Sequence, residues 1–207
     1  MKVIEIENYQ AIEQEEETVL VLGYFDALHQ GHKVLFDRAK GIAKEKHLKI
    51  AVLTFFESPK LVFSRFEPDL LKHITYPEKR YAKFAEYGVD YLYLTNFTSA
   101  FSKVSSDDFI KNYIGGLKAK ALVVGFDYKF GHNRTDADYL VRNFPGQVLT
   151  VPQVSQDGQK ISSTRIRGLI AQGNIAQVNQ LLGYEFSTRG IVVHGDARGR
   201  TIGFGPA

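Results

Sequence analysis

The sequence contains no cysteine, which excludes disulfide bonds and thiolate metal sites and fits a reducing compartment. Its amino terminus, MKVIEIENYQ, is charged and lacks the apolar core of a signal peptide. No segment approaches the roughly 20 apolar residues that are needed to cross a bilayer. These absences predict a soluble cytoplasmic protein that does not associate with a membrane.

A strong excess of charge of one sign is also missing. The chain carries 26 lysine and arginine residues against 23 aspartate and glutamate residues, a formal net charge of +3. So balanced a charge argues against a surface that coats nucleic acid, although local basic clusters can still bind phosphate. We therefore expect small-molecule substrates and no nucleic-acid partner.

The familiar nucleotide-binding fingerprints are absent as well. Neither GxxxxGK[ST] nor GxGxxG occurs in the sequence. No nucleophile and base are arranged in a way that suggests a covalent intermediate. Direct phosphoryl or nucleotidyl transfer, which depends on positioning and charge stabilisation, remains possible.

Five short apolar runs alternate with helix-like segments, in a chain of 207 residues with a hydrophobic share of 44%. The runs are VLVLGYF (19–25), KIAVLTF (49–55), VDYLYLT (89–95), KALVVGF (120–126) and QVLTVP (147–152). Such runs are typical of strands that are covered on both faces. The alternation predicts one sizeable α/β domain with a doubly wound, five-stranded parallel sheet in the order 3-2-1-4-5.

Local signals predict the helices between these strands. Residues 32–46 form an amphipathic pattern. Pro77 and Gly88 mark the start and the end of a second helix, since proline suits the first helical position and glycine the end. Ser105 or Ser106 is a good cap for a third.

The stretch GYFDALHQGH (23–32) follows the first predicted strand and leads into a helix. Gly23 lets the backbone approach a ligand closely, and the free N–H groups of the helix start attract phosphate. His29 and His32 could donate ring N–H groups to phosphate oxygens and stabilise a leaving pyrophosphate. The alternatives are ordinary surface or capping histidines, or a metal pair, for which a third ligand is lacking nearby.

Two further clusters have a similar character. VVGFDYKFGHNR (123–134) places Gly125 and Asp127 at the end of the fourth predicted strand, beside the first strand, at the crevice where such sheets bind ligands. KISSTRIRG (160–168) begins the first of two short helices, with Ser163 as its expected cap. Arg165 and Arg167, two residues apart, should diverge on that helix. A solvated loop and a capped surface helix are the alternatives.

These motifs together resemble a known family. GxFDxxHxGH, TF-x-x-x-P, VVGxDxxFGxxR and ISSTxIR occur in order between about Val19 and Tyr184. They resemble the FMN adenylyltransferase domain of bacterial bifunctional riboflavin kinase/FAD synthetases, within the HxGH nucleotidyltransferase superfamily and its Rossmann-like fold. The resemblance implies that AMP is transferred from ATP to FMN, giving FAD and pyrophosphate, with Mg²⁺ as the metal ion.

The resemblance also implies roles for individual residues. The catalytic set would be His29, His32, Asp127, Ser163 and Arg167. The ATP site would comprise Gly23, Phe25, His29, His32, Gly125, Ser163, Thr164 and Arg167. The flavin site would comprise Phe55, Pro59, Asn96, Phe97, Thr98 and Asp127.

The chain departs from the family pattern in a few places. Ala27 stands where relatives commonly have glycine, which should be tolerated unless φ is positive. Ser58 replaces a histidine expected before Pro59, and Asp127 stands where asparagine is frequent. Residues 185–207 resemble the opening of the riboflavin kinase barrel, so we expect an adenylyltransferase domain over 1–184 and a truncated, inactive kinase segment after it.

Two other functions fit the same residues less fully. One is another nucleotidyltransferase of this fold that acts on nicotinamide or pantetheine phosphates. The other is a nucleotide- or flavin-binding module that has lost its chemistry. The intact histidine pair and the ISST stretch favour an enzyme, and the TF-x-x-x-P stretch favours a flavin.

Overall fold

A six-stranded parallel sheet forms the centre of the computed structural model, which describes residues 1–63, 65 and 71–191. Its strands are β1 (Lys2–Glu5), β2 (Thr18–Leu22), β3 (Lys49–Phe55), β4 (Tyr91–Thr95), β5 (Ala119–Gly125) and β6 (Gln147–Val151). They lie in the order β1-β4-β3-β2-β5-β6, and every neighbouring pair is parallel. The predicted order of the five strands is therefore confirmed for β2 to β6.

The sheet has one strand more than the sequence pattern predicted. The additional strand β1 pairs with β4 at the edge of the sheet, and Lys2, Val3 and Glu5 are exposed there. An edge strand needs no continuous apolar run, because it has one neighbour and its side chains reach solvent. By contrast, all five residues of β2 are buried, which explains why that strand was evident from the sequence.

Seven helices connect or follow the strands in the described part of the chain. They are α1 (Gln30–Lys46), α2 (Lys60–Phe63), α3 (Pro77–Glu86), α4 (Ser106–Asp108, continued by a π-helical turn, Phe109–Ile114), α5 (Ala137–Asn143), α6 (Ser163–Ala171) and α7 (Ile175–Leu182). The hairpin β7 (Ser155–Gln156) and β8 (Gln159–Lys160) precedes α6. The predicted signals hold: Pro77 starts α3, Gly88 follows it at φ +75°, and Ser105 caps α4.

Helices cover both faces of the sheet. Val19 and Val21 of β2 belong to one apolar cluster, with Phe36 of α1. Leu20 and Leu22, which point the other way, belong to a second cluster with the helical segment after β4. This alternation within one strand confirms the doubly wound architecture. Because helices cover both faces, a ligand can reach the sheet at the carboxyl ends of its strands.

A third apolar cluster packs against the loop that follows β2. Ile166 of α6 and Leu181 of α7 pack there with Ala27 and Ile74. Ala27 is fully buried and is not among the residues with positive φ, as its methyl group requires. The two C-terminal helices therefore hold the GYFDALHQGH loop in place.

Contacts with the sheet domain continue beyond Tyr184. Lys79 Nζ donates to Ser187 Oγ at 2.7 Å, and Arg189 pairs with Glu78 at 3.1 Å. The expected kinase-like strand and turn at 192–207 lie outside the described residues, so the domain boundary near Tyr184 stays a prediction. None of the helices in the described ranges combines the length and apolarity that a membrane crossing needs.

Candidate active site

A cavity of about 640 Å³ opens at the carboxyl ends of β2, β3, β5 and β6. Its volume is in the usual range for small-molecule sites, and it lies where the strand order reverses around β2. One part, called here the polar end, is lined by His29, His32, Asp127, Lys160, Ser162, Ser163 and Thr164. The other part, called here the aromatic row, is lined by Phe55, Phe97, Phe101, Phe109 and Phe130.

The two histidines of the first motif are stacked at the polar end. Their ring centroids are 3.7 Å apart and their planes differ by 10°. His29 is the N-cap of α1, and its Nδ1 accepts a hydrogen bond from the His32 backbone N–H at 3.2 Å. An accepting nitrogen carries no proton, so the proton of neutral His29 is on Nε2, where it can be donated to a ligand. A Cβ on Gly31 would lie 3.1 Å from the His29 ring, which explains the glycine between them.

Both histidines are held neutral at pH 7. Burial lowers the pKa of His29 to about 4, with Lys160 acting in the same direction. Burial also lowers the pKa of His32 well below its usual range, and the neighbouring His29 adds to this. His32 Nδ1 is buried and has no hydrogen-bond partner in the described part of the chain. The pair can therefore offer neutral N–H donors to an anion without excess positive charge.

The turn from β2 into α1 has an unusual backbone. Phe25 and Leu28 have φ values of +56° and +44°, in the left-handed region that non-glycine residues rarely occupy. The Phe25 ring packs on Phe36 and Phe84, and a Cβ on Gly23 would lie 2.6 Å from it. Gly23 and Phe25 both line the cavity, and the role in ATP binding that the resemblance implies for them stays a prediction.

A buried arginine that the sequence did not reveal joins the ends of two strands beside this turn. Arg80 of α3 is 3% exposed and donates to the Phe55 carbonyl oxygen at 2.9 Å and to Thr54 Oγ1 at 2.6 Å. It also donates to the Tyr24 carbonyl oxygen. Its position in an amphipathic helix gave no signal of this role, because its partners lie more than 20 residues away.

The second motif brings a carboxylate to the cavity. Asp127, after β5, forms an ion pair of 2.6 Å with Lys160 of β8. Asp127 is the only carboxylate among the described residues that line the cavity. Gly125 lines it too, and so does Arg134, whereas His132 is exposed outside it.

The third motif also lies at the polar end, but with a different cap. Ser162, not Ser163, is the N-cap of α6: its Oγ accepts from the Arg165 backbone N–H at 3.2 Å. The chain is still extended at Ser162 and becomes helical at Ser163, so the predicted cap was one residue too late. Ser163 and Thr164 line the cavity.

The two arginines of this motif diverge, as their spacing predicted. Arg165 Nη1 donates to the carbonyl oxygens of Gln156 and Gln159 at 3.3 Å. Arg167 Nη2 forms a 2.5 Å ion pair with Asp26, which is 4% exposed. In the described structure Arg167 does not line the cavity. The role in ATP binding that the resemblance implies for Arg167 stays a prediction.

The aromatic row is a chain of ring contacts between separate elements. Phe55 meets Phe97 and Phe101 at 5.0 and 5.4 Å, Phe101 meets Phe109 at 6.2 Å, and Phe109 meets Phe130 at 5.7 Å. Phe101, Phe109 and Phe130 were not predicted as site residues: Phe101 and Phe109 lie outside the motifs, and Phe130 lies in the second motif but was given no role. The predicted residues Phe55, Pro59 and Phe97 do line the cavity.

Two residues of the predicted flavin site lie beside the cavity rather than in its described wall. Asn96 and Thr98 are exposed, and neither is among the described residues that line it. Thr98 Oγ1 accepts from the Phe101 backbone N–H at 3.0 Å and so fixes the start of the turn that carries Phe101. The geometry gives Thr98 an indirect effect on the aromatic row.

Known proteins are similar to this chain in sequence and fold. The family model described as FAD synthetase matches residues 11–165. A bifunctional riboflavin kinase/FMN adenylyltransferase of Listeria monocytogenes is 42% identical over 90% of this chain and 60% of its own length. Its counterpart in Bacillus subtilis is 37% identical over 99% of this chain and 66% of its own length. The chain thus spans less than two thirds of these relatives.

One further curated relative and one solved structure are also similar to this chain. A protein of Listeria monocytogenes named FAD synthetase is 31% identical, with 87% of this chain and 74% of that protein covered. A crystal structure of a protein from Streptococcus pneumoniae, named as a macrolide-efflux protein, is 42% identical with a TM-score of 0.91, covering 95% of this chain and 66% of that one. The family match spans all three motifs of the cavity up to Arg165. The chain belongs to the FAD synthetase family of nucleotidyltransferases.

Proposed function

We propose that this chain transfers the AMP group of ATP to the phosphate of FMN, giving FAD and pyrophosphate. One observation carries the proposal: a single cavity joins a polar end, built for phosphate, to an aromatic row that suits a flavin ring. The family membership supports the same reaction. FMN and FAD each carry both chemical characters, an anionic chain and a flat aromatic ring.

The polar end supports direct transfer without a covalent enzyme intermediate. An oxygen of the FMN phosphate attacks the α-phosphorus of ATP, and the bond from that phosphorus to the bridging oxygen breaks. The electron pair leaves with pyrophosphate. Catalysis of this kind depends on alignment and on stabilising the charge of the leaving group. His29 Nε2–H, the His32 ring and the N-terminus of α1 are the donors positioned for that charge.

The start of α6 provides a second group of donors. The Ser163 and Thr164 side chains line the polar end, and Ser162 keeps the first turn of α6 in register. Lys160, held by Asp127, adds a positive charge beside them. We propose that these groups hold the triphosphate while the histidines face the α- and β-phosphates.

The protein fits a magnesium ion that is carried mainly by the nucleotide. No group of three or more histidine, aspartate or glutamate residues in the described ranges could hold a metal alone. Asp127 could supply one carboxylate, and Mg²⁺ is often bound by one or two carboxylates together with substrate phosphates. When bound, the ion would offset negative charge on the triphosphate.

The proposal is tested by incubating the purified chain with ATP, Mg²⁺ and FMN and separating the flavins by chromatography. We expect FAD and pyrophosphate in equal amounts. Nicotinamide mononucleotide and phosphopantetheine, offered in parallel, should not be adenylylated. If FMN binds but no FAD forms with excess ATP and Mg²⁺, the chain is a flavin-binding module.

A further inference from the structure

The loop between β5 and α5 is fixed by backbone hydrogen bonds although it has little regular structure. Phe130 N donates to the Thr135 carbonyl oxygen at 3.0 Å, and Arg134 N donates to the Gly131 carbonyl oxygen at 3.0 Å. His132 N donates to the Val104 carbonyl oxygen at 2.8 Å and so ties the loop to the segment before α4. Residues 130–135 thus form a small closed turn at the cavity rim.

A buried serine anchors this turn from below. Ser106 is 1% exposed, and its Oγ bonds to Asn133 Oδ1 at 2.7 Å and to Thr135 Oγ1 at 2.6 Å. Gly131 has φ +70°, and a Cβ there would lie 2.3 Å from Ser106 Oγ. The side chains that this turn presents to the cavity therefore start from a defined backbone.

Arg134 is the positive charge that the turn presents. It lines the cavity, and no ion pair or side-chain hydrogen bond engages it within the described ranges. Two other cations of the cavity already have acidic partners: Lys129 pairs with Asp136 at 3.6 Å, and Lys160 pairs with Asp127 at 2.6 Å. Lys60 of α2 also lines the cavity and forms no ion pair within the described ranges. It is therefore the alternative candidate for binding an anion here, and the test below includes it.

The position of Arg134 links its charge to the aromatic row. The same turn carries Phe130, which packs on Phe109 at 5.7 Å and lines the cavity. The donors of the polar end come from other elements, namely the histidines at the start of α1 and the first turn of α6. A ligand that meets Phe130 and Arg134 together needs an aromatic ring and an anion on one molecule.

We propose that Arg134 binds the phosphate of the flavin acceptor and makes the site select FMN over riboflavin. This inference rests on the proposed function and names a specificity residue for it. A guanidinium can hold two phosphate oxygens with two parallel hydrogen bonds, which leaves the third free to attack. Riboflavin ends in a hydroxyl group and offers Arg134 no charge.

The test compares binding of FMN and riboflavin, followed by flavin fluorescence without ATP. Arg134→Gln should raise the dissociation constant of FMN about 10-fold, as expected for a charge-assisted hydrogen bond at an exposed site. It should leave that of riboflavin unchanged. Arg134→Lys should lie between. Arg142→Gln, an exposed arginine of α5 away from the cavity, is the matched control for net charge and should change neither constant.

Three results would overturn the assignment. An equal loss of FMN and riboflavin binding would mean that Arg134 only supports the shape of the site. Weaker ATP binding with unchanged FMN binding would assign Arg134 to the nucleotide. Loss of FMN preference in Lys60→Gln but not in Arg134→Gln would transfer the role to Lys60. If wild-type protein binds FMN selectively through Arg134 but forms no FAD, this inference stands and the proposed function fails.

Discussion

The polar end and the aromatic row share one cavity but are built differently. At the polar end, His29 and Ser162 each accept a hydrogen bond from the backbone N–H three residues later. A few consecutive residues therefore fix each donor group. The aromatic row draws its rings from residues 55 to 130, and these rings are positioned mainly by one another. The polar end is a product of local sequence, and the aromatic row is a product of tertiary packing.

This difference predicts that the polar end mainly stabilises the transition state, whereas the aromatic row mainly contributes to binding affinity. In the proposed reaction the donors of the polar end would face the phosphates, where charge changes during transfer, so substitutions there should act on turnover. In the same proposal the aromatic row would hold the flavin ring, which is not altered in the reaction. Substitutions there should act on affinity and change binding in ground state and transition state alike.

The largest effect is expected for His29→Asn. Asparagine can keep the N-cap of α1 but cannot place a donor where His29 Nε2–H lies. Loss of one such donor lowers kcat on the order of 100- to 1,000-fold in well-studied sites. We expect a loss of this size in FAD formation, with FMN affinity changed less than about threefold because FMN binding in the ground state does not depend on this donor.

His47→Asn provides the matched control for that prediction. His47 ends the same helix in a left-handed conformation, at φ +55°, and it is exposed. Asparagine tolerates that conformation, so turnover should stay at the wild-type level. Similar small losses in both variants would show that His29 has only a structural role.

The motifs of the polar end could be predicted from the sequence because their geometry is local. His29, His32, Ser163 and Thr164 all line one cavity, and the cap predicted at Ser163 is one residue too late. Helix caps depend on hydrogen bonds within four residues, which a sequence displays directly. The strand order has a different basis: it was predicted from the alternation of strands and helices, which favours a doubly wound parallel sheet.

The remaining features depend on contacts between distant segments. Arg80 is buried because Phe55, Thr54 and Tyr24 present oxygens to it, and none of these is near it in sequence. Arg167 turns to Asp26, 141 residues earlier, rather than to the cavity. A motif shows which residues occur together, but it does not show which way a long side chain points.

The next largest effect concerns stability at acidic pH. The folded protein keeps His29 neutral down to its pKa of about 4, whereas an ordinary histidine is protonated below 6.5. Between these values the unfolded chain binds more protons, so stability is complete above pH 6.5 and falls as the pH approaches 4. The loss attributable to His29 is on the order of 3 kcal/mol, at 1.36 kcal/mol per pKa unit.

Urea unfolding of the wild type, His29→Asn and His47→Asn between pH 7 and pH 4.5 measures this loss. As the pH is lowered, the unfolding free energy of His29→Asn should decrease less steeply than that of the other two proteins. The same slope for all three would show that His29 protonates normally in the folded state.

Arg167→Ala distinguishes the observed ion pair from the role that the family resemblance implies. It leaves the buried Asp26 carboxylate with the Ile74 backbone N–H at 3.0 Å and His73 Nδ1 at 3.8 Å, but without its arginine. Leaving a buried charge without its partner costs roughly 1–3 kcal/mol of unfolding free energy, the lower figures applying because Arg167 is partly exposed. We expect a lower Tm and nearly unchanged ATP affinity. An unchanged Tm with weaker ATP binding would instead place Arg167 on the nucleotide in the bound state.

The smallest effect is expected in the aromatic row, from Phe101→Leu. Phe101 contacts Phe55, Phe97 and Phe109, so its ring joins the two halves of the row. Leucine keeps most of the apolar volume but loses the ring contacts, which are worth about 0.5–1.5 kcal/mol per aromatic pair. The dissociation constant of FMN should rise about threefold to tenfold, and that of riboflavin should rise equally, because the ring is common to both. Turnover at saturating FMN should be preserved.

Tyr9→Leu, which removes an exposed ring that packs on Tyr113 outside this cavity, is the control and should leave flavin binding unchanged. A fall in turnover at saturating FMN would contradict the division of labour between the two ends, because it would mean that the aromatic row also sets the alignment of the reacting phosphates.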